Sequence, residues 1–129
     1  MDHPNLDLVQ GLLGAFVTGD ADALRAGFDP DVRLEQSGFD AAAGTYQGVD
    51  AVIGYFFNDD HMDDYRLEVV DLLASDDRAA IIGRTFGRRG EQTIENDFVQ
   101  VLRIAGGKVV EIRIYAWDQR AVAAFRPAA

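Results

Sequence analysis

Three runs in the second half of the chain alternate apolar and polar positions with the period of a β-strand: residues 78–89, 93–104 and 108–118. The apolar-rich phases read Ala80, Ile82, Arg84, Phe86; then Ile94, Asn96, Phe98, Gln100, Leu102, Ile104; then Val110, Ile112, Ile114, Ala116, Asp118. These phases predict the inward faces of three strands. Gly90-Glu91 and Gly106-Gly107 predict tight turns that make the strands antiparallel neighbours. The polar exceptions in the inward phase are Arg84, Asn96, Gln100 and Asp118. A buried polar group needs a partner, so these four predict either a pocket lining or a structural network.

The first half changes period. Leu6, Val9, Leu12, Leu13 and Phe16 recur at helical spacing and predict a helix over 4–16, with Pro4 near its start. Gly19 can end that helix, and Asp20 can cap a short one over 21–26. A short strand is expected over 32–36, a Gly- and Ala-rich loop over 37–48, a third helix over 49–57 and a further strand over 65–73. Residues 119–125 predict a helical turn before Pro127. The two-layer rule then gives an α+β fold in one domain, residues 1–129: a curved antiparallel or mixed sheet packed on three N-terminal helices, with a cavity on its concave face; a flat sheet packed tightly on the helices, leaving no cavity, is the alternative.

Composition narrows the function. Of 129 residues, 48% are hydrophobic, which is enough for a real core, and there is no cysteine for disulfide or thiolate chemistry. The start of the chain has no basic-then-apolar leader pattern and no run is long enough to span a membrane, so a reducing, cytoplasmic setting is expected. The formal charge of −10 disfavours nucleic acid as a partner. A small neutral ligand suits that field better, although an internal Arg could hold an anion.

Asp118 is the first catalytic candidate. Desolvation in an apolar wall would raise its pKa toward acid–base work; its structural alternative is to cap residues 119–125. Arg84 would offer donors to a substrate oxygen, or form an ion pair with Asp118 or Glu35. Asn96 and Gln100 would orient a polar substrate or satisfy each other. Gln36, Phe98, Ile112 and Ile114 are expected to line the pocket, with Tyr46 and Tyr55 near its mouth; Phe16, Phe56, Phe57 and Phe98 equally suit core packing. Phe39 could serve as a lid. The acidic run 59–64 around His61 has ligand-type side chains but reads better as a solvated turn; His61 could alternatively face the pocket mouth. No cofactor or metal is expected.

Three segments carry a resemblance: Phe16-Val17-Thr18-Gly19-Asp20-Ala21-Asp22-Ala23-Leu24, Gly44-Thr45-Tyr46-Gln47-Gly48-Val49-Asp50-Ala51-Val52, and Val101-Leu102-Arg103-Ile104 followed by Gly107-Lys108-Val109-Val110-Glu111-Ile112-Arg113-Ile114-Tyr115. In this order the chain resembles the nuclear-transport-factor-2-like (NTF2-like) superfamily, which includes ketosteroid isomerases, SnoaL-like polyketide cyclases and limonene epoxide hydrolases. The resemblance implies a cone-shaped fold with a deep pocket, commonly in a dimer. It does not imply one chemistry. The isomerase acid, base and phenol positions fall near Gln100, Gln36 and Leu12, none of which can do that work. Arg84 and Asp118 resemble two parts of the hydrolase set, but Ile82 and Phe86 flank Arg84 where a companion carboxylate would stand. Asp118 also lies where SnoaL-like cyclases carry an acid–base Asp.

The opposite strand phase, with Val99, Val101, Arg103, Glu111, Arg113, Tyr115 and Trp117, predicts a homodimer interface. Cover by the C-terminal segment through Val122 or Phe125 is the alternative. The functional expectation is a cofactor-independent isomerase, cyclase or hydrolase for a small apolar oxygen-bearing molecule, with a non-catalytic binding protein and a structural module as rivals.

Overall fold

A computed structural model describes residues 3–38, 42–57 and 64–125. The expectations for Phe39, His61 and most of the acidic run lie outside these residues. The first helix, α1 (Pro4–Thr18), starts where His3 caps it: the imidazole Nδ1 accepts from the Asn5 amide at 3.1 Å. It stops at Gly19, whose φ of 73° is the left-handed turn that a side chain would disfavour. The Asp20 carboxylate then accepts from the Ala23 amide and opens α2 (Ala21–Ala26).

The chain continues through β1 (Phe28–Gln36), β2 (Gly44–Gln47) and α3 (Val49–Phe56). Three long strands follow as a meander: β3 (Asp64–Ala74), β4 (Arg78–Arg89) and β5 (Gln92–Ala105). Then come β6 (Lys108–Ala116) and α4 (Gln119–Phe125). The six strands form one sheet in the order β2-β1-β6-β5-β4-β3. All neighbours are antiparallel except β1 and β6, which run parallel. Two expected features of the first half change: β1 is longer, and part of the expected loop pairs with it as β2.

The expected cone on three N-terminal helices does not form. α3 follows two strands and α4 closes the described chain, so the helices are not confined to the N-terminal end. The sheet is open, mixed and not strongly curved. Strands bend where an extra residue breaks the ladder, yet β4 and β5 pair from Arg78↔Arg103 to Arg89↔Gln92 without a register shift. The shifts fall within β1, within β3 at Val69/Asp71, and at Arg103/Ile104.

One face of the sheet carries the core. Leu34 on β1, Ile112 on β6, Leu102 on β5 and Ala79 on β4 lie side by side in register, all buried. Val9, Leu12 and Ala15 of α1, Leu24 of α2 and Val52 of α3 join them in one cluster. Each fully buried aliphatic side chain here contributes about 1.5–3 kcal/mol relative to exposure.

The inward phase expected for β4 is reversed over Ala79–Thr85, although Phe86 of the expected phase still lines the cavity. Arg84 is opposite Asp97 and Thr85 is opposite Asn96. Ala79, Ile81, Gly83 and Thr85 therefore share the core face with Asn96, Phe98 and Gln100, and Ile82 and Arg84 face outward. The phases expected for β5 and β6 hold over Asn96–Leu102 and Ile112–Ala116.

Candidate functional site

Along the core face, the closed row Leu34–Ile112–Leu102–Ala79 gives way to a polar one. Two residues further along, Gln36, Ile114, Gln100 and Ile81 lie in register. The next row is small: Ala116 and Gly83 flank Phe98. Beyond it stand Asn96 and Thr85, then Ile94 and Gly87. The helices cover the closed row tightly, but small side chains leave space over the rest. The result is a cavity of about 380 Å³. Sheet curvature is not needed to make it.

Gly83 is required for this shape. A Cβ there would lie 2.7 Å from the Phe98 ring and 2.9 Å from the Glu68 carbonyl oxygen, too close for either. On the helical side, Phe16 and Phe56 meet edge to face at 5.9 Å, and Phe28 stacks on Phe56 at 6.1 Å. All three rings line the cavity, as do Leu12, Leu13 and Val9. Phe57 stacks on Phe16 and packs against the core.

The polar groups of the lining differ in what they already hold. The Tyr55 hydroxyl donates to Gln36 Oε1. Tyr46 does not line the cavity; its ring packs edge-on against Tyr55 at 5.0 Å, and its hydroxyl donates to the Ala42 carbonyl. Asn96, 5% exposed, uses both ends of its amide on one backbone site: Oδ1 accepts from the Asp118 N–H at 3.0 Å and Nδ2 donates to the Asp118 carbonyl at 3.3 Å. Thr85 donates to the Asn96 carbonyl. Gln100 is half-buried, and among the described residues its amide makes no hydrogen bond. Tyr55 and Tyr65 are the titratable side chains of the described lining.

Asp118 and Arg84 are not brought together. β6 ends at Ala116, so Asp118 leaves the strand phase; it is exposed, and its carboxylate accepts from the Ala121 amide at 3.0 Å as the cap of α4. This is the structural alternative, arising because a helix follows the strand at once. Arg84 lies on the outer face, donating to Asp97 at 2.8 Å and standing 3.6 Å from Glu95. The bond to Asp97 and its charge raise the guanidinium pKa further above its ordinary value. Neither residue lines the cavity.

α4 supplies a wall that the sequence pattern did not reveal. Val122 and Phe125 line the cavity rather than cover the outer sheet. The helix is tied at both ends. Asn96 holds Asp118, and Gln119 donates to Ser37 Oγ at 3.2 Å. At the far end, Arg89 donates to the Phe125 carbonyl at 2.7 Å with its guanidinium 5.1 Å from the Phe125 ring, and Gln92 donates to the Ala124 carbonyl. Val122 and Phe125 stand three apart, a helical signal too brief to read without knowing what they pack on.

The family model described as a SnoaL-like domain matches residues 9–112. The chain belongs to the SnoaL-like domain family. This SnoaL-like domain is 28% identical over 127 residues to an uncharacterised protein of Mycobacterium tuberculosis, covering 96% of this chain and 97% of that one. It is similar in structure to Bal32a, from a soil-derived mobile gene cassette, with a TM-score of 0.88, 25% identity and coverage of 95% of this chain and 96% of that chain. An NTF2-like protein from Burkholderia xenovorans gives a TM-score of 0.82 at 25% identity over 94% of each chain. Membership of the NTF2-like superfamily, expected from the three segments, is thus shown. Among the described residues no three His, Asp or Glu side chains cluster as a metal site would, and no helix is long and apolar enough to cross a membrane.

Proposed function

We propose that this SnoaL-like domain binds a small, neutral, chiefly apolar organic molecule carrying oxygen, in the cavity between the sheet and α1, α3 and α4. The supporting observation is the lining itself: aliphatic and aromatic walls from five strands and the helices, with polar atoms gathered at Gln36, Tyr55, Gln100, Thr85 and Asn96. The volume, about 380 Å³, lies within the range of small-molecule sites. Phe98, Ile112 and Ile114 are the apolar contacts in this reading. Gln36, Tyr55 and Gln100 orient the ligand, and Tyr46 supports Tyr55 from behind. Binding is favoured over the acid–base chemistry expected from Asp118 and Arg84, because those side chains are engaged elsewhere.

The test is titration with a neutral, environment-sensitive naphthalene ketone dye. Saturable one-to-one binding with a blue-shifted emission is expected, abolished in Ala116→Trp, which fills the cavity. Absence of saturable binding to the folded parent overturns the reading. Turnover of an enone or epoxide by the parent would replace it with a catalytic one.

The same reading includes a homodimer through the outer sheet face, in a cytoplasmic setting. Val99, Tyr115 and Trp117 are exposed there, Trp117 at 86%. Arg84 with Asp97, and Arg113 with Glu111 and Glu35, flank them. An apolar strip between charged rows suits a self-complementary interface.

A further inference from the structure

The polar groups of the cavity are not equivalent. Asn96 is committed to the Asp118 backbone, Thr85 donates to the Asn96 carbonyl, and Gln36 accepts from Tyr55. Gln100 stands in the same row as Gln36, with Ile114 between them, so the two backbones lie two strand spacings apart, about 10 Å. Among the described residues the Gln100 amide has no hydrogen-bond partner, although it faces the cavity and is half-buried.

A primary amide presents an acceptor oxygen and donor hydrogens in one plane. In the unliganded cavity, water can satisfy both. A ligand that displaces this water must replace both bonds, because a desolvated donor or acceptor left alone costs free energy. A hydrocarbon replaces neither. A ketone accepts from Nε2 but leaves Oε1 unpaired. An anion faces apolar walls with no cationic side chain in the described lining, in a chain of net charge −10.

We propose that Gln100 is the specificity-determining residue of this cavity, selecting neutral ligands that place a hydrogen-bond donor beside an acceptor, as a carboxamide or lactam does. The amide of Gln100 then pairs with the ligand in a two-bond ring, while the bicyclic or aliphatic body of the ligand packs against Phe98, Ile112 and Ile114. The inference rests on the reading of the cavity as a ligand site and adds the chemical class of the ligand.

Four matched probes test it by calorimetry: naphthalene, 2-acetonaphthone, 2-naphthamide and 2-naphthoate. The parent is expected to bind 2-naphthamide about tenfold more tightly than naphthalene or the ketone, the worth of one to two net hydrogen bonds, and to bind the carboxylate most weakly. In Gln100→Met, similar in length and without the amide, 2-naphthamide should bind no more tightly than naphthalene or the ketone. Gln100→Leu, which has neither donor nor acceptor, should also lose the preference for the amide; it decides the matter if the Met variant does not fold. Equal binding of the three neutral probes by the parent, or a preference that survives in the folded variants, overturns the assignment to Gln100 while leaving the cavity reading intact. Failure of all four probes to bind the folded parent overturns both.

Discussion

Where Gly83 lacks a side chain, the ring of Phe98 lies across the strand. Gly83→Ala should therefore destabilise the protein by about 1–3 kcal/mol through overpacking, seen as a lower denaturation midpoint at unchanged slope. Asp118 tests a different idea. If its carboxylate acts only as the cap of α4, Asn serves nearly as well. Asp118→Asn should leave stability within a few tenths of a kcal/mol and ligand binding unchanged, whereas Asp118→Ala should cost about 1 kcal/mol; a large loss of binding in the Asn variant would restore Asp118 as a functional group. The polar exceptions in the strand pattern were legible as residues needing a partner. Their partners were not, because Asn96 meets a backbone 22 positions away and Arg84 meets a carboxylate one strand over.

At the scale of the element, α4 is a short helix, and isolated helices of that length do not persist in water. It stands because Asn96, Arg89 and Gln92 bind its ends and Phe125 is buried. Arg89→Leu removes both the bond to the Phe125 carbonyl and the stacking on its ring. Amide exchange in α4 should then accelerate, while the amides of β5 and β6 exchange as before. Equal acceleration in the sheet would show that the Arg89 contacts support the whole fold instead. The strands show the limit of pattern reading. β5 alternates cleanly over Asn96–Leu102, and its inward phase was legible. β4 reads Ala79-Ala80-Ile81-Ile82, doublets that supply both phases equally. Pairing with β5, which sets Arg84 opposite Asp97 and Thr85 opposite Asn96, decides which phase turns inward.

For the whole molecule, the sheet has helices on one face and an exposed apolar strip on the other. The dimer reading predicts a sedimenting species near twice 14.1 kDa at low micromolar concentration. Tyr115→Asp should shift it to the monomer mass by placing a desolvated charge in the interface, with cavity ligand binding retained because Tyr115 does not line the cavity. A parent that sediments as a monomer would overturn this interface.

The chain by itself determined what depends on local chemistry: the helices from apolar spacing, with Pro4 at a start and Gly19 and Asp20 as caps, the strands β4, β5 and β6 from alternation, and family membership from three ordered segments. The tertiary structure alone decided the parallel pairing of β1 with β6, the absence of strong curvature, the turning of Arg84 outward, the use of Asp118 as a cap and the docking of α4 as a cavity wall. Each of these depends on which distant residue comes to lie opposite. Side-chain period records that a strand has two faces, but its direction toward the core is fixed only when the neighbouring strand supplies the register.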